Sequence, residues 1–126
     1  MKIPDNLLYS KDHEWIENID NSCRIGITEY AQGELGDIVF MELPEIGLKV
    51  KQGDVIGTIE AVKTVADVYS PISGEIIDIN SNLENNPELI NEDPYTNGWI
   101  VNIKAEDPVD SSAYLNASQY KRFIAK

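Results

Sequence analysis

At 126 residues, with 42% of them apolar, the chain has room for one domain with its own core, read here as spanning residues 1–126. Its 22 acidic residues against 10 Lys and Arg set a formal net charge of -12, which repels nucleic acid and anionic membrane surfaces. That surplus either steers the protein toward partners with a basic docking face or simply keeps a small monomer soluble, and charge alone does not choose between the two.

The first residues, Met1 to Tyr9, lack the apolar core of a secretory signal and the Arg-rich, acid-poor make-up of a transit peptide. One cysteine, Cys23, allows no internal disulfide, and no apolar run approaches the roughly 20 residues that span a bilayer. A reducing aqueous compartment is expected: the bacterial cytoplasm, or the mitochondrial matrix if a transit peptide has been removed.

Short stretches rich in Val, Ile and aromatic residues then follow, separated by Gly, Pro, Asp and Asn. They predict strands at Glu14 to Ile19 and Arg24 to Ile27. Thr28 is placed to cap a short helix through Leu35, which Gly36 ends in a left-handed conformation. Further strands are predicted at Ile38 to Leu43, Val55 to Val62, Val65 to Tyr69, Glu75 to Ile79 and Trp99 to Lys104. Asn116 caps a final helix in which Tyr120, Phe123 and Ile124 share a packing face and Lys121, Arg122 and Lys126 lie at the negative end of the dipole. Many short strands at close spacing, with minor helices, predict an all-β sandwich or barrel. The pattern Gly, acid, two β-branched residues recurs at Gly36-Asp37-Ile38-Val39, Gly53-Asp54-Val55-Ile56 and Gly74-Glu75-Ile76-Ile77. Each reads as a turn entering a strand, at intervals too unequal for a solenoid repeat.

Parts for an enzyme are scarce. With one histidine, His13, and one thiol, Cys23, neither a Cys2His2-type metal site nor a pair of imidazoles can be assembled. No Gly-x-Gly-x-x-Gly or Walker pattern occurs. A general acid/base pair could be drawn from the 22 carboxylates, but no spacing singles out two of them.

The segment Glu60-Ala61-Val62-Lys63-Thr64-Val65-Ala66-Asp67 stands out. Strand-like residues on both sides predict a tight hairpin with Lys63 at its tip. A tip lysine is usually a solubilising, edge-protecting residue. Here, though, small and apolar residues crowd a position where turns recruit Asn, Asp and Gly, so the tip is also a shape that a modifying enzyme could read.

This hairpin, followed by Tyr69-Ser70-Pro71-Ile72-Ser73-Gly74-Glu75-Ile76, resembles the lipoyl-lysine signature of the glycine cleavage H-protein family. The likeness extends over His13-Glu14-Trp15, Gly26-Ile27-Thr28-Glu29-Tyr30-Ala31, Leu35-Gly36-Asp37-Ile38-Val39 and Leu43-Pro44-Glu45. It continues through Pro87-Glu88-Leu89-Ile90-Asn91, Asp93-Pro94-Tyr95 and Gly98-Trp99, and so covers the chain from about Tyr9 to Tyr120. Ala61 departs from the Ser common in the family, which removes a hydroxyl contact beside Lys63 while Glu60, Val62 and Lys63 are kept.

The resemblance implies a flattened β-barrel of the barrel-sandwich hybrid type with short peripheral helices and a C-terminal helix. It implies a carrier that catalyses nothing and bears lipoate on Lys63. Such a carrier takes the aminomethyl group of glycine from a pyridoxal-phosphate glycine decarboxylase (P-protein) to a tetrahydrofolate-dependent aminomethyltransferase (T-protein). It is reoxidised by a dihydrolipoamide dehydrogenase (L-protein), and a lipoate ligase or octanoyltransferase loads it. By the same resemblance Glu14 and Asp67 are placed to hold the cationic amine, although either could be an ordinary solvated carboxylate. Biotinyl carriers flank their lysine with methionine, whereas Met1 and Met41 lie far from Lys63 in sequence. Lipoyl domains of 2-oxo acid dehydrogenases precede a flexible linker and an acyltransferase domain, for which this sequence shows no counterpart. A lipoyl-relay protein and a small acidic adaptor without a prosthetic group are the remaining alternatives.

Overall fold

The computed structural model describes residues 1–125, so the predicted role of Lys126 at the final helix end lies outside the described residues. Among the described residues nine strands and three α-helices follow one another. The strands are β1 (Leu8–Tyr9), β2 (Glu14–Ile19), β3 (Ser22–Ile27), β4 (Ile38–Glu42), β5 (Lys49–Val50), β6 (Val55–Ala61), β7 (Val65–Tyr69), β8 (Gly74–Ile79) and β9 (Val101–Ala105). The helices are α1 (Glu29–Leu35), α2 (Leu89–Glu92) and α3 (Ala117–Ile124). One sheet has six strands in the order β1-β2-β3-β9-β8-β5, and the other has three in the order β4-β6-β7. Neither closes on itself. Ile25, Ile38, Met41, Ile59, Val68, Ile76 and Ile103, drawn from both sheets, pack into one buried cluster. That shared core makes a flattened sandwich, in agreement with the all-β reading.

Local chemistry accounts for most boundaries. β3 begins two residues before its predicted start because Asp20 and Asn21 take positive φ (52° and 65°), the two-residue turn that lets Ile19 pair with Ser22. Thr28 caps α1 by accepting the Ala31 N–H, and Gly36 ends it at φ 78°. Asn116 and Gln119 form a reciprocal capping box at the start of α3. Of the three glycine-acid repeats, Gly36 and Gly53 do take positive φ. Gly74 differs: it lies inside β8, between Val50 and Ala105, where a Cβ would collide with the Lys104 carbonyl. There the glycine serves close strand approach, not a turn.

The unpredicted elements are held from a distance. β1 is two residues long, and Tyr9 exchanges both backbone hydrogen bonds with Leu115 at 2.8 Å. A second cluster of Leu7, Tyr9, Trp15, Ala117 and Tyr120 then fastens α3 across β1 and β2, with the Tyr9 and Tyr120 rings stacked at 4.7 Å. Cys23 is fully buried, and burial pushes its thiol up to about 11, so it is no nucleophile at neutral pH. No helix among the described residues is long and apolar enough to cross a membrane.

Candidate functional site

The hairpin between β6 and β7 closes where the Ala61 N–H donates to the Thr64 carbonyl at 2.8 Å, leaving Val62 and Lys63 projecting at the tip. Lys63 is exposed, and Val62 is 75% exposed. The tip is not loose, because the Val62 N–H donates to the Asp37 carbonyl at 3.0 Å. Asn91 of α2 in turn grips the corner that carries Asp37. Its amide donates to the Gly36 carbonyl (2.8 Å) and to Gln32 Oε1 (2.9 Å), while its carbonyl accepts the Ile38 N–H (2.9 Å). One side chain therefore ties α1, β4 and, through Asp37, the lysine tip.

The Lys63 stem lies over Gly36. A Cβ built on that glycine would stand 3.3 Å from Lys63 Cε and 3.8 Å from Nζ. Gly36 also has φ 78° and ψ -153°, a region that is nearly glycine-only and costs other residues on the order of 1–3 kcal/mol. Gly36→Ala is expected to lose about that much stability in urea unfolding, whereas Gly33→Ala, in α1 with nothing near its would-be Cβ, should gain up to about 1 kcal/mol. Equal effects of the two substitutions would contradict this account.

A cleft of about 400 Å³ runs between the Asp12–Glu14 segment, α1 and β7. Leu35, Ile59, Ala66 and Val68 supply apolar wall, and Glu14, Glu34 and Asp67 supply charge. The sequence-predicted pair thus meets at one cleft, in unlike settings. Glu14 is 2% exposed and accepts the Ser10 hydroxyl at 2.5 Å, while its own N–H donates to Ser10 Oγ at 3.1 Å. Burial pushes its carboxyl up to about 7; the Ser10 hydrogen bond opposes this, Asp12 adds to it, and the Tyr69 backbone N–H opposes it. Asp67 is exposed on β7 and accepts the Thr58 hydroxyl at 3.2 Å.

His13 also lines the cleft, held at φ 69° with Nδ1 2.9 Å from the Tyr120 hydroxyl, which lies 2.7 Å from Thr28 Oγ1. Burial lowers its pKa, against the pull of Asp12 and Glu34, and the ring packs against Tyr30 and Phe123. The cap of α1, the cleft rim and α3 are therefore one hydrogen-bonded unit. Sequence reasoning assigned Gly36 only the end of α1, and gave Ser10, His13 and Asn91 no role at the site. The contact of Gly36 with the Lys63 stem, and the part played by Asn91, 55 positions from Gly36, had no local signal. Among the described residues, no group of three or more His, Cys, Asp or Glu is placed to hold a metal ion.

The site is thus a lysine fixed at a hairpin tip, its stem laid across a glycine, in a two-sheet sandwich that also holds an acid-edged cleft. The family model described as "Glycine cleavage H-protein" matches residues 7–126, so the chain belongs to that family, whose members are carriers rather than enzymes. It is 49% identical over 124 residues to a glycine cleavage system H protein of Oceanobacillus iheyensis, covering 98% of each chain. It is 48% identical to one from Staphylococcus haemolyticus over the whole of both chains. The crystal structure of a glycine cleavage system H protein from Mycobacterium marinum superposes with a TM-score of 0.90 at 36% identity, over 98% of this chain and 100% of that one.

Proposed function

We propose that Lys63 carries a lipoyl group in amide linkage and that the protein, as a monomeric single domain in the bacterial cytoplasm, ferries the aminomethyl unit of glycine between enzymes of glycine cleavage. The observation that carries this reading is the Lys63 stem over Gly36, on the hairpin whose β7 strand also lines, with Glu14, an acid-edged cleft. These residues fit such a group: the missing Cβ of Gly36 leaves a cradle for the stem, and the apolar cleft wall suits a hydrocarbon chain. Bound there, a lipoyl group supplies a dithiolane that can accept electrons and a one-carbon amine together.

The chain's own residues then have separable tasks. Lys63 Nζ is the nucleophile for attachment. Asn91 and Gly36 fix the tip from which the arm departs. Leu35, Ile59 and Val68 keep water from the cleft floor. The carboxylates of Glu14 and Asp67 are acceptors for a cationic amine. Partners under this reading are the glycine decarboxylase, the aminomethyltransferase, the dihydrolipoamide dehydrogenase and a lipoate ligase or octanoyltransferase. The tethered arm is presented to each at an effective concentration far above its bulk value.

The test is an intact mass after incubation with lipoate, ATP and a lipoate ligase, followed by glycine-dependent exchange of labelled bicarbonate with the decarboxylase. One added lipoyl group and restored exchange are expected; an unmodified mass would overturn the proposal. With a net charge of -12, association with the decarboxylase is expected to slow by about tenfold from low to high salt, because exposed charges are screened over about 8–10 Å near physiological ionic strength. A rate indifferent to salt in stopped-flow measurements would leave the acidity as a solubility device.

A further inference from the structure

β4 does something a regular strand cannot. Its pairing with β6 slips between Ile38, opposite Ala61, and Phe40, opposite Glu60, so Val39 is an extra residue in a β-bulge. The bulge lets Ile38 and Met41 both face the core at 4% and 1% exposure. It leaves Val39 and Phe40 as consecutive apolar side chains in solvent, 51% and 49% exposed. Phe40 lies in one cross-strand row with Glu60 and Val65, and Val65 is 62% exposed. Val62, next to Lys63, is 75% exposed. Val39, Phe40, Val62 and Val65 thus stand in water at the lysine end of the β6–β7 hairpin and on the neighbouring β4, apart from Val55 and Tyr69, which pair at the hairpin's far end, although burying each would stabilise the fold by roughly 1.5–3 kcal/mol.

Apart from Lys63 itself, the charge around this collar is of one sign. β4, β6 and β7 carry Glu42, Glu60 and Asp67 with no Lys or Arg, and Asp37 adjoins the turn. The surface therefore fits a partner with an apolar socket rimmed by basic residues. Distance selects which partner. An enzyme that forms the amide must bring its acyl donor to bonding distance of Lys63 Nζ, and the side chain lies back against Gly36, so the neighbouring collar has to enter the contact. Enzymes that act on the far end of a completed arm are under no such constraint.

We propose that Val39, Phe40, Val62 and Val65 form the docking surface for the acyltransferase that loads Lys63, with Val39 and Phe40 as its apolar anchors. This rests on the assignment of Lys63 as the attachment site. In the step itself the Nζ lone pair attacks the acyl carbon of the lipoyl adenylate made from lipoate and ATP. The amide C–N bond forms, the C–O bond to AMP breaks, and the ammonium proton passes to solvent.

Kinetics of a lipoate ligase with lipoate and ATP, followed by intact mass, test the proposal on the full chain. A Val39→Ser, Phe40→Ser double variant is expected to raise the KM for the carrier by about tenfold with kcat within about twofold, since loss of apolar anchors weakens docking and not chemistry. Phe40→Leu should recover most of the loss, and Ile46→Ser, at a 59% exposed site outside the three strands and the turn, should behave as wild type. If the double variant fails to fold by circular dichroism, Val62→Ser carries the test with the same expected direction. Wild-type kcat/KM in these variants, or a loss confined to kcat, would overturn the docking surface while leaving Lys63 as the attachment site. So would a wild-type dimer in sedimentation that the double variant converts to monomer, because the collar would then serve a second copy of the chain. A wild type that gains no acyl group would overturn both readings.

Discussion

Lys63→Arg is expected to abolish acylation entirely while leaving the fold intact. Arginine keeps the positive charge and a long stem, but its guanidinium stays protonated and presents no free amine lone pair. The position is exposed, so unfolding free energy should stay within about 0.5 kcal/mol of wild type. The hairpin's own fixings, the Ala61 to Thr64 and Val62 to Asp37 hydrogen bonds, run through backbone atoms that the substitution does not touch. Intact mass after ligase treatment should therefore show one added group on the wild type and none on the variant. Modification of the variant at another lysine would remove Lys63 from its role.

Legibility in the sequence followed how local the physics was. β2 and β7 are found where alternation and β-branched residues place them, and Thr28, Gly36 and Asn116 cap or end helices by contacts within four residues. The Lys63 hairpin was legible for the same reason. β1 and β5 were not, because two-residue strands have no periodicity and exist only through pairing with β2 and β8. Glu14 and Asp67 could be named from a family pattern, yet nothing in it separates them. Their difference arises from burial, which takes Glu14 out of water, whereas Asp67 meets solvent beside Thr58. The Val39 and Phe40 surface was hidden for a related reason: both look like core residues of a strand until the bulge sends them outward.

Glu14 should impose a pH dependence of stability opposite to that of a salt-bridged carboxylate. Its carboxyl titrates at about 7 in the fold against an ordinary 4.5, so between these pH values the folded protein binds the extra proton. Stability from this group is therefore fully present below about pH 4.5 and is lost as pH rises through 7, by on the order of 3 kcal/mol in total. Glu14→Gln removes the titration and keeps an acceptor for Ser10. Urea unfolding of both proteins from pH 5 to 8 should show the variant gaining on the wild type as pH rises; parallel profiles would refute the assignment. The cost fits the role proposed for the residue. A carboxylate short of solvation gains most when a cation stands beside it, so a cationic amine in the cleft restores what burial removed and pulls the group back toward ionisation. Glu14→Gln is thus expected to be the more stable protein at pH 8 and the poorer carrier. It should accept lipoate at the wild-type rate but hold a glycine-derived one-carbon unit for a shorter time, read as formaldehyde released without the aminomethyltransferase. Asp67→Asn, altering an exposed carboxylate already bonded by Thr58, should shorten that time less.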